Sequence, residues 1–334
     1  MNIFAILSEL EKTDPEVFER FDSRRRVFKH MTGFGKTLAA SALPLALGSI
    51  FNKAYGQTTS APSVNDVLNF ALKLEYLESY FYDAGLGVAG STATAAQTTF
   101  RALFSATNLS ALDKIRTDEA NHVKYLATAL GANAIAAPAR TQFDFTGGKG
   151  SGTGPFADVF LNPATFLAVA QSLEDTGVRA YKGGAPYLMS NKDVLTAALN
   201  IHSVEARHAS RLRTMRRAGA NNNTASAVAP AGTTEAGRNA SPKSWISGKD
   251  NGGASPTQTA PIYDAGTAPS YTPTGITFPA EDNVTQGGVN LQTALSSLNF
   301  PTLAFSEAFD EPLPVPTVSA IASTFTITGS TLFS

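Results

Sequence analysis

The sequence predicts an all-α core, a bundle of four long helices with one long crossover, followed by a loop-rich C-terminal extension with short strands. Three observations predict it. Four stretches between Pro62 and Gly219 space their apolar residues at the helical period. A Gly-, Ala- and Pro-rich stretch, 131–162, separates the second of them from the third. Beyond Gly219 the composition shifts to Ala, Thr, Asn, Gly and Pro.

Each element carries its own signals. The first helix, VLNFALKLEYLESYFY, follows Ser63 as a cap and is expected to stop at Gly85. The second is expected to start at Ser110, where Ser110-x-x-Asp113 resembles a capping box, and to end at Gly131. TGGKGSGTGP marks 131–162 as a connection, and Gly147-Gly148-Lys149 within it lacks the spacing of a phosphate-binding loop. The third opens at Asn162-Pro163, a cap followed by proline in the first turn, and stops at Gly183-Gly184. The fourth runs from about Ser190 to Gly219, with Arg211, Arg213, Arg216 and Arg217 placed to complement the carbonyl end of the helix dipole. The domain organisation is therefore 1–56, 57–219 for the bundle, and 220–334 for the extension. The extension keeps Trp245, Ile246, Tyr263, Tyr271, Phe278 and Leu291, which suits a layer packed on the bundle, and STFTITGSTLF alternates like a strand.

The bulk numbers exclude several classes. A net charge of -1 gives no reason to expect nucleic acid as a partner. With no cysteine, thiolate zinc sites and iron–sulfur clusters are ruled out. No apolar run approaches the roughly 20 residues of a transmembrane helix. In residues 1–56, RRRVFK precedes the apolar stretch GFGKTLAASALPLALGSIF and a small-x-small site at Ala54-Tyr55-Gly56. Those are the parts of an export signal. Arg25-Arg26-x-Phe28-Lys29 resembles the twin-arginine motif, which places the protein in the periplasm or outside the cell after cleavage at Gly56. The alternative is an N-terminal helical arm, because the segment before the arginines is long and acidic.

The chemistry lies in the carboxylates. Only Glu75, Glu78, Glu119, Glu174 and Glu205 occur between Pro62 and Gly219, and two have a histidine three residues on, giving Glu119-x-x-His122 and Glu205-x-x-His208. Residues three apart share a helix face and can point at one centre. One Glu from each of two helices plus Glu-x-x-His from two others is a set that holds two metal ions in a bundle. Carboxylates that bridge offset the repulsion between ions about 3.5–4 Å apart, and oxygen with imidazole donors suits iron or manganese. The expected ligands are Glu75, Glu119, His122, Glu174, Glu205 and His208. Glu78, one turn from Glu75, is open between a ligand, a partner of a ligand and a solvated residue. Tyr82 and Tyr181 each follow a glutamate by seven residues, so each shares its own glutamate's face and either bonds a ligand, carries a radical or fills the core. Asp118 and Asp175 point about 100° away from the neighbouring ligand and are solvated or support it from behind. His202 is structural.

The segments VLNFALKLEYLESYFY, LEDTGVRAYKGGAPYL and SEAFDEPL, with the two Glu-x-x-His motifs, resemble the bacterial ferritin-like domain family that includes plant desiccation-related proteins. The resemblance covers about 62–218 with a short echo near 300–315, and implies a ferritin-like bundle with a di-iron or di-manganese centre. Its implied reactants are peroxide, dioxygen or ferrous iron in a protective, ferroxidase-like or catalase-like role. The rival is a non-enzymatic structural or stress-associated surface protein that keeps the bundle. Rubrerythrin-like electron entry needs four cysteines and is excluded. The choice of metal, enzyme against structural protein, and homo-oligomerisation stay open in the sequence.

Overall fold

The computed structural model describes residues 61–229, 242–249 and 256–334. The expected export signal at 1–56 lies outside the described residues. Helix α1, Val64–Leu86, starts at a reciprocal capping box between Ser63 and Asp66. It runs past Gly85, which is a packing glycine and not a stop: a Cβ there would sit 2.7 Å from Phe166 Cε2. Gly87, at φ 87°, ends the helix in a conformation that favours glycine. A short helix with no counterpart in the sequence reading follows, α2, Ala95–Arg101, capped by Thr94 and Gln97. Helix α3, Ala106–Leu130, is capped by Ser105 and so begins before the expected Ser110, which lies inside it. Asp113 is not a capping partner; it takes two hydrogen bonds from Arg101 and ties α2 to α3.

The crossover between α3 and the third long helix is built around one carboxylate. Asp144 accepts from Thr146 N and Oγ1 and from the amides of Gly150 and Gly152, which organises the Gly-rich turn. Arg140 pairs with Asp83 and anchors the crossover to α1. Helix α4, Pro163–Gly184, is capped by Asn162, and α5, Lys192–Ala218, by Asn191. The bundle consists of two closely packed pairs, α1 with α3 and α4 with α5, joined through α1 against α4; the α3–α5 seam is the thinnest. At one end Phe81, Phe100, Phe104 and Phe166 form an aromatic cluster, with Phe81 stacked on Phe166 at 4.8 Å. No helix among the described residues is long and apolar enough to cross a membrane.

The C-terminal segment adds α6, Pro256–Tyr263; α7, Leu291–Ala294; α8, Thr302–Ser306; and α9, Val315–Ser323. Among its described residues the strands are the two-residue ribbon Thr285–Gln286 against Val289–Asn290. The expected terminal strand does not form. Its first residue ends α9, and only Thr326 makes a bridge, to Phe143. Of its apolar residues, Phe325 and Phe333 are buried and join the bundle's core.

The arginines of α4 and α5 fasten this segment. Arg179, fully buried, pairs with Glu281 at 2.8 Å and donates to the carbonyls of Ile262, Asp264, Pro279, Glu311 and Pro312. Arg213 pairs with Asp175 at 2.6 Å, and Tyr263 donates to the same carboxylate. Arg217 donates to the carbonyls of Val228 and Pro242. Of the alternatives for Asp175, solvation is corrected, since it is buried against an arginine and a tyrosine, and Arg213, expected only to complement the helix dipole, is spent on that contact.

Candidate metal centre

Six side chains from four helices converge inside the bundle. α1 contributes Glu75, α3 Glu119 and His122, α4 Glu174, and α5 Glu205 and His208. Their donor atoms form two overlapping quartets, Glu75–Glu119–His122–Glu205 and Glu119–Glu174–Glu205–His208, each within 4.8 Å. All four carboxylates are fully buried, and the two rings lie 6.2 Å apart. The i, i+3 spacing puts each Glu-x-x-His pair on one inner face.

The two shared glutamates straddle the centre. Glu119 turns Oε2 to His122 Nδ1 at 3.2 Å and Oε1 to His208 Nδ1 at 2.8 Å. Glu205 turns Oε1 to His122 Nδ1 at 3.1 Å and Oε2 to His208 Nδ1 at 3.7 Å. Glu75 and Glu174 sit at the two ends, each 3.2 Å from one histidine. Apart from these contacts with the histidine rings, which are poorly aligned for hydrogen bonding, Glu119 Oε1 and both Glu205 oxygens are buried without a hydrogen-bond donor. A protein interior rarely tolerates such oxygens, and cations are what relieve them. The donor set therefore fits a metal site.

Electrostatics agree. Burial, then the charge of Glu205, pushes the Glu75 carboxyl well above its ordinary value. Burial lifts Glu174 to about 8 while His208 pulls against it. Burial alone would lower His122, but the carboxylates of Glu119, Glu205 and Glu75 outweigh it and raise the ring far above its usual range. Positive charge is what this pocket holds most readily.

The tyrosines are crossed. Tyr82 donates to Glu174 Oε1 at 2.5 Å, and Tyr181 donates to Glu75 Oε1. Each follows one terminal glutamate in sequence and holds the other, so of the roles left open each bonds a carboxylate of the centre, across the bundle. Burial, then the carboxylate's charge, drives both hydroxyls well above their ordinary values, so they act as donors. Spacing could place them on the inner face but not choose the partner.

The remaining candidates are settled by contact. Glu78 is buried beside the centre, outside both quartets, and is not solvated. Asp118, bridged to Lys114, reaches His208 Nε2 at 3.4 Å and supports that ring from behind. His202 Nδ1 meets the Val178 carbonyl at 3.0 Å, a structural role. Between α3 and α5 a cavity of about 450 Å³ opens onto both rings, lined by Lys114, Asp118, Asn121, Arg207 and Arg211.

Residues 63–218, the span of the four long helices, match the model of the ferritin-like domain family. No curated protein and no solved structure matches the chain.

Proposed function

Residues 63–218 form a ferritin-like domain, and on that premise we propose an exported metalloprotein that holds two iron or manganese ions and reacts with peroxide or dioxygen in a protective role. The observation that carries this reading is the pair Glu119 and Glu205, each presenting one oxygen to each histidine. Two carboxylates so placed are suited to bridge, and Glu75 with His122 and Glu174 with His208 complete the ends. Oxygen donors with two imidazoles and no thiolate favour iron or manganese. When bound, the ions would supply electron transfer to a small oxidant.

The chain's own part is to orient and to exclude. Tyr82 and Tyr181 fix the terminal glutamates, and the aromatic cluster behind Tyr82 keeps water from that end. The α3–α5 cavity, about 450 Å³ and lined by both rings, gives a small reactant such as peroxide, dioxygen or ferrous iron an approach to the centre. Export rests on the basic and apolar pattern of residues 24–56.

The test is metal content by mass spectrometry on protein purified without chelator, beside a Glu119→Ala/His122→Ala variant, with the cells fractionated first. About two equivalents of iron or manganese, lost in the variant, are expected, in periplasmic protein that begins at Gln57. Peroxide and dioxygen consumption by the loaded protein follows. A wild type that takes up neither ion would leave a structural protein on an inherited bundle, and an intact cytoplasmic chain would overturn export.

A further inference from the structure

The two halves of the bundle repeat one another about the centre. Glu75 and Tyr82 of α1 correspond to Glu174 and Tyr181 of α4, and Glu119 and His122 of α3 to Glu205 and His208 of α5. The repeat breaks at several buried or lining positions, two of which place a carboxylate beside the donors in one half only. Glu78 stands where α4 has Gly177, and Asp118 stands where α5 has Val204.

The first break does not distinguish the two quartets. A Cβ on Gly177 would lie 3.2 Å from Glu78 Oε1 and 3.6 Å from Glu205 Cγ, so Glu78 fills the room the glycine leaves. It rests beside Glu205, which both quartets share. The second break is selective. Asp118 Oδ2 reaches Nε2 of His208, which belongs to one quartet only, and Lys114 holds Asp118 in place. Among the described residues nothing pairs with Nε2 of His122, whose contacts all run through Nδ1. Val204, at the position equivalent to Asp118, lines the same cavity and offers no acceptor.

We propose that the two metal positions are inequivalent, and that the one formed by Glu119, Glu174, Glu205 and His208 fills first and holds its ion more tightly. The inference rests on the two-metal reading above. A carboxylate on the outer nitrogen of a ligating histidine fixes the proton there, leaves the inner nitrogen free, orients the ring and raises its basicity; losing such a partner typically costs about 10–100-fold in metal affinity. Asp118 is thus a positioning residue for one position and has no counterpart at the other.

The test is a titration of metal-free, full-length protein with Mn²⁺, followed by calorimetry and by the electron paramagnetic resonance of free Mn²⁺, and repeated with Co²⁺ by its visible bands. Two steps separated by about 10–100-fold are expected. His208→Ala should remove the tight step, and His122→Ala should leave it. Asp118→Ala should weaken the tight step alone, while Asp118→Asn, which keeps an acceptor, should weaken it less. Val204→Asp gives His122 the missing partner and should tighten the second step. That variant adds a group at the edge of an open cavity, so a loss of fold cannot mimic its result. Two equal steps in the wild type, or a tight step that survives His208→Ala, would overturn the inequivalence and leave the metal reading standing. No uptake of either ion by the wild type would instead overturn the metal reading.

Discussion

Replacing Arg179 with methionine tests whether the C-terminal layer hangs on one buried side chain. Arg179 and Glu281 are both fully buried and 2.8 Å apart, and the guanidinium also serves five carbonyls of the layer. Removing one member of such a pair strands the other charge, which costs about 3–5 kcal/mol. Each carbonyl that water cannot then reach adds about 1–3 kcal/mol. Against a total stability of about 5–15 kcal/mol, that loss is enough to detach the layer. The chain's single tryptophan, Trp245, lies in this layer, so its fluorescence during urea unfolding reports the layer directly. The loss should also depend on pH. Burial pushes the Glu281 carboxyl up to about 8, with Arg179 opposing. A folded value above the unfolded one means that the native state binds more protons across that window, so stability falls as pH rises from about 4.3 to about 8 and then levels. Without Arg179 the carboxyl moves higher still, and the variant should be hurt less at pH 5 than at pH 8. Arg179→Met/Glu281→Met removes both charges and should recover much of the loss. A midpoint for Trp245 that moves by less than about 1 kcal/mol, or a double variant no better than the single, would refute the reasoning.

Two further predictions concern the centre and the crossover. Tyr82→Phe and Tyr181→Phe each remove a hydrogen bond to a buried carboxylate and should cost metal-free protein about 1.5–3 kcal/mol in urea unfolding, with the double variant non-additive because the two share one network; no loss in either would make the tyrosines mere core. Asp144→Ala removes the acceptor that gathers Thr146, Gly150 and Gly152, and should speed hydrogen exchange at the two glycine amides and cost about 1–3 kcal/mol. Although burial works against it, hydrogen bonds from Thr146, Gly150 and Gly152 hold the Asp144 carboxyl below its ordinary value. Its stabilisation is therefore present above about pH 3.9 and lost as pH falls through the folded value, a dependence the alanine variant should lack.

The bundle and its six inward donors were legible because both obey short-range rules. A helix repeats every 3.6 residues, and a Glu-x-x-His pair can be read within one turn. The expected start of α3 differs from the observed one because Ser110-x-x-Asp113 satisfies the capping pattern as well as Ser105 does, while the pairs with Arg101 and Arg116 show where Asp113 is spent. The crossed tyrosines were beyond reach for another reason: seven-residue spacing fixes a face, while the partner depends on how α1 and α4 lie against each other. The same limit hid Arg179 and Arg213. On a helix written out alone, both look like solvated surface charge.

Those two arginines connect the extension to the centre. On α4, Glu174 and Tyr181 face the centre while Asp175, Arg179 and Lys182 face the C-terminal layer; on α5, Glu205 and His208 face the centre while Arg213 meets Asp175 of α4, beside Tyr263, and Arg217 meets the segment that follows. Four carboxylates buried together oppose folding, because each loses its hydration. A core that breaks a local rule at its functional site needs stability from elsewhere. The extension supplies it on the same two helices through the fully buried Arg179–Glu281 pair and the Arg213–Asp175–Tyr263 cluster. These contacts act on the backbone of the helices that carry Glu174 and Glu205. On the proposed two-metal reading, they would brace that backbone both before and after the ions bind.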